Sequence, residues 1–283
     1  MKIPFKANLK DKVVVITGGA GVLGSDFARA IAQCDAKVAI LDLSEEKAKE
    51  LAEELNKKGY QAIGVKANVL EKESLKQARQ EVLKAFGPAD ILINGAGGNH
   101  PRATTTDEFF NKETFGQEGN KSFFDLDLDS FNFVFGLNFT GTLLPTQIFA
   151  VDMVDKPGSV ILNVSSMNAF KPLTKIPAYS AAKAAISNFT AWLAVHFAKS
   201  NIRVNAIAPG FFSTEQNKAL LWNPDGTPTD RSRKILNNTP MGRYGEPEEL
   251  IGTLLWLLDN EASGFVTGVV IPVDGGFSAY SGV

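Results

Sequence analysis

Cysteine is nearly missing from this chain. Of 283 residues one is a cysteine, Cys34, and it falls in a stretch with helical periodicity. A lone cysteine excludes a disulfide within the chain and fits a reducing, cytoplasmic setting. Histidine is almost as scarce. His100 and His196 stand far apart without zinc spacing, so no metal site is expected. No run approaches the roughly 18 consecutive apolar residues of a membrane span. The opening residues, MKIPFKANLKDK, lack an apolar core of signal-peptide length. Neither sign of charge prevails: 29 Lys and Arg oppose 31 Asp and Glu, with no basic stripe. Nucleic acid and membrane are therefore not expected as partners, which leaves small molecules. What the chain does have is apolar mass. Hydrophobic residues make up 44% of it, enough for one large α/β domain or two small ones. No repeat, low-complexity segment or linker divides it, so a single domain over residues 1–283 is expected.

Short apolar runs alternate with amphipathic stretches. Residues 12–17 (KVVVIT), 37–41 (KVAIL), 61–67, 89–94 (ADILIN), 159–164, 202–208 and 269–273 read as buried strands. Between them, residues 22–33, 44–58, 72–86, 128–154 and 176–200 read as helices, the fourth with a break at Pro145; residues 246–258 make a further one. Strands and helices in this rhythm predict a parallel sheet covered by helices on both faces. Two stretches, about 98–126 and 211–245, break the rhythm. The first is polar with scattered phenylalanines, and loops of such length usually serve function. Both are expected to wall a substrate pocket.

The first strand runs into a glycine loop, Gly18-Gly19-Ala20-Gly21-Val22-Leu23-Gly24, that opens a helix. Such a loop gives a tight turn, close approach of a diphosphate and free N–H groups at a helix start. Gly18, Gly21, Val22, Leu23 and Gly24 are the expected contacts. Alone the motif is weak, since glycine turns between strand and helix are common. Asp42 strengthens it by ending the second strand 18 residues beyond Gly24. A carboxylate there accepts hydrogen bonds from an adenine ribose and repels a 2′-phosphate, which favours NAD over NADP. A capping or turn aspartate is the plainer alternative. Asn94, Gly95 and Ala96 after the fourth strand allow a ribose to approach, and Asn68 and Val69 after the third fall near the adenine.

The stretch at residues 166–183, SMNAFKPLTKIPAYSAAK, carries the reactive pair. Tyr179 and Lys183 lie four residues apart and share one face of a helix. An ammonium beside a phenol lowers the tyrosine pKa from about 10, so that it can exchange a proton near neutral pH. By itself the pair recurs by chance on amphipathic helices.

Taken in order, the glycine loop, Asn94-Gly95-Ala96-Gly97, Ser166, Tyr179 with Lys183, and Pro209-Gly210 resemble the classical short-chain dehydrogenases/reductases over most of the chain. The resemblance implies an α/β, single-domain Rossmann fold with a doubly wound, seven-stranded parallel sheet, hydride transfer between NAD(P) and a carbonyl or alcohol, and a homotetramer. It also implies a catalytic tetrad, which falls on Asn138, Ser166, Tyr179 and Lys183. Ser166 would fix the carbonyl oxygen, and Asn138 would hold a water on a proton route behind Lys183. Pro209 and Gly210 lead to Thr214, where the family binds the nicotinamide carboxamide. Val22 stands where the family's glycine pattern has its middle glycine, and Asn68 where an aspartate is common. Residues 97–101, 166–174, 211–212 and 275–281 resemble the family's sugar-acid oxidoreductases, and polyol dehydrogenases look alike there. A sugar acid needs a cation and several polar groups. His100, Arg102 and Asn168 are the first candidates, with Lys171, Lys175 and Arg243 behind them. A non-catalytic NAD-sensing protein is the alternative of another class, and the presence of all four tetrad residue types speaks against it.

Overall fold

The structure, a computed structural model, describes residues 1–213 and 221–282. Seven strands form one parallel sheet: β1 (Val13–Thr17), β2 (Lys37–Asp42), β3 (Gln61–Lys66), β4 (Ile91–Asn94), β5 (Ser159–Val164), β6 (Ile202–Pro209) and β7 (Val270–Val273). Their order across the sheet is β3-β2-β1-β4-β5-β6-β7. Alternation of side chains explains why both faces are covered. Val14 and Ile16 of β1 point into one core and Val13 and Val15 into the other, all but excluded from solvent. On the first face, α1 (Val22–Ala32) buries Phe27 and Ile31, each contributing about 1.5–3 kcal/mol. Beside it lie α2 (Glu45–Lys57), capped by Ser44, and an apolar helix, Ile251–Leu258. On the second face lie α3 (Lys72–Phe86), α4 (Leu128–Phe135), α5 (Gly141–Phe149) and α6 (Pro177–Phe197). The strand order reverses direction between β1 and β4, and the C-terminal ends of those strands open a crevice.

Three expectations change. The helix over 128–154 does not break at Pro145. It widens instead at a π turn, Gly136–Thr140, where the Gly141 N–H reaches the Gly136 carbonyl. Pro145 lacks an N–H but sits inside α5, past the widened turn. Second, the run Leu128–Asp152, with mean hydropathy 1.3 over its most apolar window, is long and apolar enough to cross a membrane. Half of that window is buried here, with Val134, Ile148 and Phe149 turned inward. Third, the second excursion holds a helix, Asp230–Asn237, called α7 here. Thr229 caps it by accepting from the Ser232 N–H at 3.1 Å, and it buries only Ser232 and Ile235.

The first excursion, between β4 and α4, contains short 3-10 turns at Pro101–Ala103 and Phe123–Asp125. Phe110, Phe115 and Phe124 meet edge to face on its outer side. On the outer face of α6, Phe189, Trp192 and His196 stack in a row, and Trp192 and Val195 are 56% and 80% exposed.

Candidate active site

A cleft of about 660 Å³ runs along the ends of β1, β2, β4, β5 and β6. Its floor is the glycine loop. Gly18 holds φ +62°, and a Cβ there would lie 2.8 Å from the Ala96 backbone. A Cβ on Gly24 would stand 2.2 Å from the Gly18 carbonyl, so the loop closes only around bare backbone. Gly21, Val22 and Leu23 line the same wall, and Val22 simply starts α1 with its side chain 39% exposed. Thr17, not expected from the sequence, ties the two strand ends together: its Oγ1 accepts from the Gly95 and Ala96 N–H groups at 3.2 and 3.4 Å. This bare-backbone cradle at a helix start fits a dinucleotide diphosphate.

Asp42 faces the cleft and also braces it. One carboxylate oxygen accepts from the Ala20 N–H at 3.1 Å and the other from the Ser44 N–H at 3.0 Å. Leu43, missed by the sequence reading, lines the cleft beside it at 67% exposure. Its signal was an apolar residue directly after the strand's closing aspartate. Asn68 and Val69 line the adjoining wall. The Asn68 amide is engaged locally, donating to Glu71 and accepting from the Leu70 N–H. Gly95 and Ala96 line the cleft, but the Asn94 side chain turns into the core. There it donates to Thr146 and Asn163, at 3.0 and 2.8 Å. Pro209 and Gly210 close the far end, where a Cβ on Gly210 would press on Asp274 at 2.6 Å. Phe212, Leu137 and Ser165 also line the cleft. Thr214 lies outside the described residues.

Tyr179 and Lys183 sit on the first two turns of α6 and both face the cleft. Lys183 Nζ lies 5.5 Å from the Tyr179 ring centroid and donates to the Val164 carbonyl at 2.8 Å. Burial lowers the Lys183 pKa to about 8. Burial also raises the Tyr179 phenol above its usual value, against a hydrogen bond to Ser166 that lowers it. This differs from the sequence expectation, in which the lysine lowers the tyrosine: desolvation is the leading influence on both groups. Ser166 caps the turn Met167–Ala169, accepting from the Asn168 N–H at 3.3 Å. Asn138 stands on the π turn, fully buried. Its Nδ2 donates to the carbonyls of Gly98 and Val134 at 2.7 and 2.8 Å.

The candidates for a substrate carboxylate scatter. His100 and Arg102 line a separate surface depression with Asp127, Asp129 and Phe133. The turn at Pro101–Ala103 takes them there, with His100 Nδ1 accepting from the Arg102 N–H. Asn168 is buried; its Oδ1 has no hydrogen-bond partner, and the residue does not line the cleft. Lys171 donates to the Tyr280 carbonyl, and Arg243 is held by Glu249 through both nitrogens at 2.6 and 2.7 Å. Among the described residues no three His, Cys, Asp or Glu side chains gather as metal ligands.

A half-buried phenol and a serine facing one cleft, with an ammonium one turn on and a glycine cradle beside them, are the equipment of a proton-coupled oxidoreductase. The chain belongs to the short chain dehydrogenase family, whose sequence profile matches residues 12–224. It is 58% identical to a Haemophilus influenza protein named as a candidate D-mannonate oxidoreductase and crystallised with bound NAD. That similarity covers 98% of each chain with a TM-score of 0.95. It is 54% identical to an uncharacterized oxidoreductase, UxuB, of Bacillus subtilis, over 99% of this chain and 100% of the relative. A 5-keto-D-gluconate 5-reductase of Escherichia coli is 32% identical, over 95% of this chain and 96% of the relative.

Proposed function

We propose that the chain is an NAD-dependent oxidoreductase of sugar acids, interconverting D-fructuronate and D-mannonate. The observation that carries the reaction is that Tyr179 and Ser166 face one cleft that ends at Asp42, with Lys183 beside the tyrosine. The residues that would hold NAD are the backbone of Gly18 to Gly24, Asp42 toward the adenine ribose, Val69, and Pro209 with Gly210. When bound, NAD supplies the hydride acceptor, and NADH the donor, for the substrate's carbon. Ser166 holds the substrate oxygen, and Tyr179 exchanges a proton with that oxygen as its charge develops. Lys183, pinned by the Val164 carbonyl, fixes the tyrosine's surroundings. The substrate reading is supported by the similarity to the Haemophilus protein and by the resemblance of residues 166–174 and 275–281 to sugar-acid oxidoreductases. A second reading, another keto sugar acid, is favoured by the similarity to the 5-keto-D-gluconate 5-reductase. Following NADH consumption with D-fructuronate, 5-keto-D-gluconate and neutral ketoses separates them. Rapid turnover of D-fructuronate is expected. No reaction with it, beside good turnover of another carbonyl, would sink the first reading.

A further inference from the structure

A sugar acid brings a carboxylate, and a subsite for that carboxylate rests on the sugar-acid reading of the substrate. Among the described residues lining the cleft the one cation is Lys183, buried beneath Tyr179 against the Val164 carbonyl. A carboxylate at the far end of a ketohexonate needs another partner. Arg102, Lys171 and Arg243 are each placed or engaged elsewhere.

One cluster of cations stands where the two excursions meet. Glu108 of the first excursion binds Lys234 of α7 through both carboxylate oxygens, at 2.9 and 3.0 Å. Three residues earlier, the Thr105 N–H donates to the Lys175 carbonyl at 2.9 Å. Lys175 holds φ +73°, a left-handed conformation uncommon for a residue with a side chain. It precedes Tyr179 by four residues, so their Cα atoms stand within about 14 Å of each other even in extended chain. The two excursions and the segment leading to Tyr179 are thus tied to one another, beside and not among the residues that line the cleft. Lys234, and more weakly Lys175 and Arg231, hold the Glu108 carboxyl below its usual range.

We propose that Lys234 and Lys175 form the subsite for the substrate's carboxylate, and that Glu108 is a placeholder which that carboxylate displaces. The two anions carry the same functional group, so the exchange conserves the charge-assisted hydrogen bonds. The pair is open to water, with the Lys234 side chain 64% and the Glu108 side chain 31% exposed, and exposed pairs are held weakly. Displacement also unties the first excursion from α7, so that substrate binding and freedom of the cleft wall are linked.

The placeholder has a signature that a structural clasp lacks: its two members act in opposite directions. Steady-state KM for D-fructuronate tests this in Glu108→Gln, Lys234→Met, Lys234→Arg and Lys175→Met. Loss of one charged hydrogen bond corresponds to about a tenfold change. Lys234→Met is expected to raise KM about tenfold, Lys175→Met to raise it less, and Lys234→Arg to stay near the parent. Glu108→Gln is expected to lower KM about threefold, because a competitor is removed. A rise in KM in Glu108→Gln matching that in Lys234→Met would overturn the placeholder. Unchanged KM in both lysine variants would overturn the subsite while leaving the sugar-acid reading intact. A parent enzyme that reduces neutral ketoses and no sugar acid would overturn both.

Discussion

Asn138 grips Gly98 from both sides: its Nδ2 donates to the Gly98 carbonyl at 2.7 Å while its Oδ1 accepts from the Gly98 N–H at 3.3 Å. The second Nδ2 hydrogen goes to Val134, and the Asn138 carbonyl accepts from Thr142. The carboxamide therefore works as a strut between the π turn and the start of the first excursion. Gly97 is packed between them; a Cβ there would stand 2.6 Å from Asn138 Oδ1 and 3.4 Å from Lys183 Nζ. Asn138→Ala should leave buried peptide groups unpaired and cost about 1–3 kcal/mol, read as a lower urea midpoint. Turnover should fall as well, since the wall facing Lys183 loosens. An unchanged midpoint would remove the strut.

Tyr179→Phe should lower kcat by at least about a hundredfold, the scale of a lost general acid. NADH binding, followed by its fluorescence, should stay close to the parent. Near-normal turnover would refute the tyrosine as the proton donor.

The buried lysine makes stability depend on pH with a definite sign. Lys183 has a folded pKa of about 8, below the unfolded value of about 10.4. Between these values the unfolded chain holds a proton that the folded chain has released. Its contribution is thus present above the unfolded pKa and is lost as pH falls through about 8. The slope is at most about 1.4 kcal/mol per pH unit. Tyr179, raised by burial, works oppositely above about pH 10, and the buried Cys34 thiol, also raised by burial, opposes it from lower pH, so the comparison with Lys183→Met over pH 8 to 10 isolates the lysine. Urea midpoints of the parent should rise across that window relative to Lys183→Met. Parallel curves would show that the ammonium is not desolvated.

The row of Phe189, Trp192, Val195 and His196 on α6, half-buried at Phe189 and exposed beyond it, is proposed as a contact between copies in a homotetramer. Trp192→Glu together with Val195→Glu should give smaller species in sedimentation velocity. A monomeric parent, or a double variant of unchanged mass, would count against that contact.

Most of the sheet was legible in the sequence, because uninterrupted apolar runs such as KVVVIT must be buried on both faces. The juxtaposition of Tyr179 and Lys183 was legible from their spacing, since the two needed only a regular helix to meet. What escaped depended on distant partners. Asn94 sits at the expected strand end, yet Asn163 of β5 and Thr146 of α5 draw its side chain into the core. His100 follows the cofactor motif closely in sequence, but a single 3-10 turn carries it to another surface. Half of the residues of α7 are charged, and two inward residues give too short a period to read.

Cofactor preference should respond to Asp42. Asp42→Ala is expected to narrow the ratio of kcat/KM for NAD over NADP, and discrimination equal to the parent's would assign the preference to another group.

That variant carries a second burden, because the same two oxygens that face the cleft also hold the Ala20 and Ser44 N–H groups. On the proposed role of Asp42 in coenzyme choice, selectivity and loop architecture share one side chain and change together. A lineage changing its coenzyme would have to rebuild its glycine turn in the same step. Leu43, next in the chain and 67% exposed, offers a freer starting point, where charge could be introduced without disturbing the turn.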